Sequence, residues 1–277
     1  MLFIWMAVAS AVFSVTGCAC AGGFTTVAWM WMLPAGFAGS FLVLLLLAFL
    51  FLLYLCKRVD QNVEQEKDDP LYRKVTNLYI QSVLPILRVH VKKKGMEKVP
   101  TDGRFMLVSN HSNDSDPIIL LYAMPKSQLA FVSKKENSSM FVIGPMMHKL
   151  QCQLINREND REALKTILKC IQILNEDRAS IAVFPEGAIH DDLKFHRFRP
   201  GVFKIAQKTK VPIVVCTMKN TPKVIVNLKR WKRTDIELSV LQVIQPEEYE
   251  GLTTVEMANR IHKIMADDLG PELVAAD

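Results

Sequence analysis

The feature that most constrains this chain is a run without charge: from Met1 to Cys56 there is no Lys, Arg, Asp, Glu or His. Phe37 to Cys56 supplies the roughly 20 apolar residues that a helix needs to cross a bilayer. Leu2 to about Cys20 is a second candidate, diluted by Ser10, Ser14 and Thr16. Gly22, Gly23, Pro34 and Gly36 lie between and are able to turn the chain back, so one span or a helical hairpin is expected. Lys57 and Arg58 follow the second span directly, and positive charge at a helix end favours the cytoplasmic side. A secretory signal is the competing reading, since Val15-Thr16-Gly17-Cys18 resembles a processing box, but the positively charged start of such a signal is missing.

The compositional break after Cys56 divides the chain into a membrane anchor (1–56), a linker with an amphipathic helix (57–87) and a globular part (88–277). The formal net charge of +6 lies wholly outside the anchor. Lys57, Arg58, Arg73, Lys74, Arg88 and Lys92 to Lys94 follow the anchor closely, which suits attraction to an anionic lipid surface. Nucleic acid is the weaker partner for this charge, because no zinc finger, RNP-type sequence or aromatic platform accompanies it. The six cysteines are scattered without metal-ligand spacing and read as free, mostly buried thiols.

Leu71, Val75, Leu78, Val83 and Leu87 recur at helical intervals, giving an amphipathic helix that Pro85 ends or kinks and that suits either the membrane surface or the core. Beyond it strand-like and helix-like segments alternate. Strands are expected at Val89 to Lys93, Arg104 to Ser109, Leu129 to Ser133, Gln153 to Ile155, Ser180 to Phe184, Val211 to Met218 and Ile236 to Val243. Helices are expected at Ile118 to Met124, Arg161 to Asn175, Val202 to Lys208 and Thr253 to Leu269. The alternation specifies an α/β domain with a central mixed sheet flanked by helices. The apolar run Met140 to Met147 reads as buried core, with an acyl-lining or membrane-dipping role as the alternative.

Two short stretches carry chemistry. Asn110-His111-Ser112-Asn113-Asp114-Ser115-Asp116-Pro117 follows an apolar strand, and Pro117 suits the first turn of a helix that Asp116 is placed to cap. On one continuous helix His111 and Asp116 would diverge by about 140°, whereas a loop lets them meet. The carboxylate then fixes the imidazole tautomer and leaves the other ring nitrogen as a general base, which is a serine-protease triad lacking its serine. Asp114 competes with Asp116 as the partner. The second stretch, Phe184-Pro185-Glu186-Gly187, would present a carboxylate at a sheet edge, able to accept hydrogen bonds from a polyol.

Together these stretches resemble the 1-acylglycerol-3-phosphate acyltransferase family. Asn110, His111 and Asp116 meet its pattern NHxxxxD, and Phe184 to Gly187 meet FPEG. Gln151 to Arg157 matches the block that ends in arginine, Lys134-Lys135-Glu136 the basic step before it, and Val211 to Val214 the start of the fourth block. The likeness covers about residues 88 to 220, with the blocks in order. Departures are Gln151 for a usual glycine, Ala188 and Ile189 for a usual Thr-Arg, and Val215 for a frequent proline. The resemblance implies that His111 deprotonates the acceptor hydroxyl while Asp116 orients it. It also implies that Arg157 pairs with the acceptor phosphate, helped by Lys134, and that Glu186 and Gly187 position the glycerol. No cofactor is implied; acyl-CoA or acyl-carrier protein is the co-substrate, lysophosphatidic acid the acceptor, and a membrane the setting.

Rival readings remain. His111, Asp114, Asp116, His190, Asp191, Asp192 and His196 could gather round a metal, although no HExxH or paired-Cys motif supports it. Neither GxSxG nor a phosphate-binding glycine loop is present. An inactive lipid-binding protein of the same fold is the non-enzymatic alternative.

Overall fold

The computed structural model describes residues 2–156 and 159–275. The chain separates into two compact units, Met1–Asp60 and Gln61–Asp277.

In the first unit two helices pack side by side, α1 (Leu2–Cys20) and α2 (Trp29–Lys57), joined through a tight turn at Gly23–Thr25. Both are long and apolar enough to cross a membrane. Pro34 and Gly36, expected in the turn, lie inside α2 instead. Ser14 Oγ donates to the Leu33 carbonyl at 2.6 Å, which ties α1 to α2 one residue before Pro34. A Cβ on Gly36 would lie 3.0 Å from Ser14 Oγ, so glycine lets the helices approach. Ser10 and Ser14, which weaken the first span as a sequence, are buried against the partner helix rather than set outward.

In the second unit α3 (Pro70–Ile86) begins at Asp69, whose carboxylate accepts from the N–H of Leu71 and Tyr72. Pro70 occupies the first helical position, and Pro85 comes one residue before the end. The helix packs on the core, but its buried stripe is Tyr72, Val75, Ser82 and Leu84, while Leu71 and Leu78 of the expected stripe are exposed. Arg73 is buried here too: it pairs with Asp68 at 2.6 Å and donates to the carbonyls of Leu129 and Leu150. This charged clasp turns the helix away from the face that hydrophobic periodicity alone selects.

The sheet has seven strands: β1 (Val89–Lys94), β2 (Met106–Val108), β3 (Leu129–Lys134), β4 (Gln153–Ile155), β5 (Ser180–Val183), β6 (Ile213–Lys219) and β7 (Thr234–Ile244), in the order β1-β7-β6-β2-β5-β3-β4. β2 to β6 are mutually parallel, and β7 returns antiparallel to β6 with β1 parallel beside it, so the sheet is mixed. One face is covered by α6 (Asp160–Asn175), α7 (Lys204–Thr209) and α10 (Thr254–Leu269), whose Ile173, Ile205 and Ile261 pack with Val108, Val183 and Val215. The other face carries α3 and α4 (Asp116–Ala123), with Leu84 and Leu120 against Leu107, Ala182 and Val214. Alternate residues of one strand thus serve two cores, as burial on both faces requires. α10 starts with a Thr253–Glu256 capping box and α6 with an Asn159 cap.

Three short helices escaped the sequence reading: α5 (Ile143–Lys149), α8 (Lys223–Lys229) and α9 (Pro246–Tyr249). The run Met140 to Met147 divides: Met140, Phe141 and Ile143 are exposed, while Gly144, Pro145 and Met146 are buried in α5. All six cysteines are unpaired. Burial pushes the thiols of Cys170 and Cys216 up to about 12, which leaves them protonated and unreactive.

Candidate active site

The site lies where the parallel strands end. β2 and β5 are neighbours with Val108 opposite Val183, so the third residue beyond each, His111 and Glu186, leaves the sheet at the same level. Asn110 holds the first exit: its side chain accepts from the Met218 N–H at 2.7 Å and donates to the Met218 carbonyl at 2.9 Å. The side-chain amide thereby extends the β2–β6 ladder past the last paired residue.

From that anchor the loop curls round Asp116, which is fully buried. Asp116 Oδ2 accepts the N–H of Ser112 at 2.7 Å and of Asn113 at 2.9 Å, and lies 3.0 Å from His111 Nδ1. The expected helix cap is therefore a loop cap, because the carboxylate turns back to the residues before it. An ionised carboxylate only accepts, so Nδ1 carries the proton and Nε2 offers a lone pair. Asp114 is exposed, and Asp116, not Asp114, is the partner. The imidazole stacks on Phe184 with ring centroids 4.2 Å apart and planes 17° from parallel. Phe184 thus fixes the ring from its face while Asp116 fixes it from its edge.

Glu186 joins the two motifs. It is buried, its Oε1 accepts the His111 backbone N–H at 2.8 Å, and its Oε2 accepts the His196 backbone N–H at 2.9 Å. Burial pushes its carboxyl up to about 7, against the downward pull of those two N–H groups and with a further upward push from Asp116 and Asp192. Gly187 has φ +83, and a Cβ there would come within 2.7 Å of Arg199 Nε. Both the left-handed backbone and the Arg199 approach call for glycine. Arg199 also donates its backbone N–H to the Pro185 carbonyl.

Lys134 ends β3 on the same sheet edge, exposed and 3.4 Å from Glu136. Arg157 lies outside the described residues. Among the described residues no group of three or more His, Cys, Asp or Glu is placed to hold a metal ion. Beside Glu186, His190 stacks on His196 at 3.7 Å and His196 Nε2 lies 2.9 Å from Asp192 Oδ1. Behind Phe184 and Pro185 a cavity of about 440 Å³ runs between the sheet and α6, lined by Val132, Ile155, Ile167 and Val202, with Arg199 at its polar wall. Its size falls within the range of small-molecule sites. The sequence assigns no role in the site to Asn110, Phe184 or Arg199, and offers His196 only as a metal ligand, whereas the fold has its backbone N–H donating to Glu186. Asn110 and Phe184 stand inside the two motifs, while the contacts of His196 and Arg199 are visible only in the fold.

Residues 90–219 match the family model described as Acyltransferase. A probable 1-acyl-sn-glycerol-3-phosphate acyltransferase of Mycoplasma genitalium is 27% identical over 210 residues, 71% of this chain and 75% of that protein. The 1-acyl-sn-glycerol-3-phosphate acyltransferase of Haemophilus influenzae is 26% identical over 172 residues, 61% of this chain and 71% of that one. Among solved structures, the 1-acyl-sn-glycerophosphate acyltransferase PlsC of Thermotoga maritima superposes with a TM-score of 0.62 at 19% identity, covering 82% of this chain and 89% of that one, and so shares its fold.

The Glu186 carboxyl sets a dependence of stability on pH. Its folded value of about 7 lies above its ordinary 4.5, so between these values the folded chain holds more proton than the unfolded one. Stability from this group is complete below the lower value and is lost as pH rises through the upper, by ~3 kcal/mol in total. The stability of the native chain relative to Glu186→Gln is therefore expected to fall as pH rises from 4.5 to 7. Denaturation midpoints of both proteins across that range measure it, and a flat difference refutes it.

Proposed function

We propose that this chain, whose residues 90–219 match the Acyltransferase family model, transfers a fatty acyl group from acyl-CoA or acyl-carrier protein to the free hydroxyl of 1-acylglycerol 3-phosphate, forming phosphatidic acid. The observation that carries this reading is His111, with Nδ1 held 3.0 Å from buried Asp116 and its ring stacked on Phe184. Nε2 takes the hydroxyl proton as the acceptor oxygen attacks the thioester carbonyl. The ester C–O bond forms, the C–S bond breaks, and the leaving thiolate recovers the proton from the imidazolium. Asp116 stabilises that transient charge through Nδ1–H, and no acyl-enzyme is required. Glu186 acts by pinning the two loops through the backbone of His111 and His196, with Gly187 shaping its turn. The second lone pair of each carboxylate oxygen is free by chemistry to receive a glycerol hydroxyl. The apolar cavity beside Phe184 suits a fatty acyl chain. An inactive lipid-binding protein would have no need of the oriented imidazole.

The apolar helices α1 and α2 suit a membrane anchor, and Lys57 and Arg58 at the end of α2 support a cytoplasmic position for residues 61–277, near the acyl donors. An engineered thiol at exposed Asp102 is expected to resist an impermeant reagent on intact cells and to react after permeabilisation. Reaction on intact cells reverses the topology.

Loss of a general base costs about 10²- to 10⁴-fold. His111→Ala is accordingly expected to lower turnover by at least ~100-fold while the protein still folds and inserts, as radiolabelled acyl transfer by the purified protein measures. Turnover near that of the native chain removes the acyltransferase assignment.

The resemblance assigns Arg157 to the acceptor phosphate, and a guanidinium fork suits that role because it satisfies two phosphate oxygens at once; Lys134, exposed at the end of β3, adds positive charge. Arg157→Ala is expected to raise the KM for the phosphate-bearing acceptor with a smaller fall in kcat. A monoacylglycerol, which lacks the phosphate, loses little from the same change. Equal losses with both acceptors point to a structural arginine instead.

A further inference from the structure

The connection from β6 to β7, residues 220–233, stands at the same sheet edge as His111, because β6 ends where β2 and β5 end and β7 starts there in the opposite sense. It contains α8 and is built to a plan unlike the rest of the surface. Val224 is buried in the core and holds the helix down, while Ile225 and Val226 are 46% and 51% exposed and Trp231 is 65% exposed. Around them stand Lys223, Lys229, Arg230, Lys232 and Arg233. From Leu193 to Thr234 the chain has no Asp or Glu at all. Arg233 is paired with Asp235, but Lys229, Arg230 and Lys232 make no ion pair among the described residues.

Hydrogen bonds hold the segment together. Asn227 accepts the Lys232 N–H through its carbonyl and donates from its side chain to the Arg233 carbonyl, and Arg88 donates to the Trp231 carbonyl across the sheet edge. Trp231 has φ 53, a left-handed conformation that a bulky side chain rarely adopts. A glycine or asparagine would sit there at less cost, yet the chain carries a tryptophan that stays mostly exposed. Exposed aliphatic side chains, an indole and unpaired cations on one firm projection match the chemistry of a bilayer interface, where indole rings settle at headgroup level and lysines and arginines meet anionic lipid.

We propose that the segment 220–233 is a second membrane contact: Ile225, Val226 and Trp231 insert into the interface of an anionic bilayer, with Lys229, Arg230 and Lys232 against the headgroups, so that the edge bearing His111 faces the surface from which a lipid acceptor arrives. Only this last clause rests on the acyltransferase reading. An acidic protein could answer the positive charge, but it gives the exposed aliphatic pair and the strained tryptophan less reason to be displayed.

The test uses the full chain in lipid nanodiscs with Trp5, Trp29 and Trp31 changed to Phe, which leaves Trp231 as the sole tryptophan. Phosphatidylcholine brominated near the headgroup is expected to quench Trp231 when phosphatidylglycerol is included, with the emission shifted to the blue. Both effects are lost in a K229E/R230E/K232E version that keeps its turnover on a short-chain, water-soluble acceptor. Trp231 emission that stays solvent-like and unquenched in anionic discs overturns the proposal. So does a change that appears only on adding acyl-carrier protein, which assigns the surface to a protein partner. Quenching does not depend on turnover, so an inactive chain that is nevertheless quenched sinks the acyltransferase reading and leaves the membrane contact standing.

Discussion

The burial of the Asp116 carboxylate organises the catalytic end of this molecule. A charge taken out of water must be answered by donors on the spot, and the nearest donors are the N–H groups of the loop that precedes it and the ring of His111. The loop curls as it does because those groups converge on one oxygen. Glu186, the second buried carboxylate, imposes the same demand from the neighbouring strand and is answered by the backbone of His111 and His196. His111 is thus held by its ring from one acid and by its main chain from the other. Held by ring and main chain at once, the base has little freedom to drift.

That convergence rests on sheet register. Val108 and Val183 are paired, and each motif places its functional residue three positions further on. A shift of one strand by a residue would exchange inward and outward side chains along it and part Glu186 from the His111 amide. Asn110 guards against this by continuing the β2–β6 ladder with its side chain. The motif residues beside the histidine and the glutamate are in this sense parts of the sheet as much as of the site.

Much of this was legible in the sequence because the strands feeding the site are short apolar runs that end in polar turns. β4 occupies the expected residues, and β2 and β5 lie inside the expected runs. The spacing left the partner of His111 open between Asp116 and Asp114, and the resemblance to the family, not the spacing, favoured Asp116, which the fold brings to Nδ1. Other features were hidden for identifiable reasons. The face of α3 follows the Arg73–Asp68 pair, which apolar periodicity does not register. Pro34 and Gly36 signal a turn by composition, yet they are carried inside α2 beside Ser14 of the adjacent helix. The antiparallel return of β7 is a matter of connection, and a strand reads alike in either direction. The role of Glu186 as a brace was hidden because both of its donors are backbone groups, one of them on a loop ten residues away.

Phe184 links chemistry to binding. Its ring stacks on His111 and also lies 6.1 Å from Phe131, and the same residue borders the apolar cavity. Whatever fills that cavity therefore touches the platform on which the base rests. A leucine in its place would keep the cavity apolar but give up the flat face that aligns the imidazole. An alanine would also remove cavity wall, adding the cost of an unfilled space to the loss of alignment. The aromatic residue that opens the second motif is thus required by the histidine of the first, which is a physical reason for the two stretches to occur together in one chain.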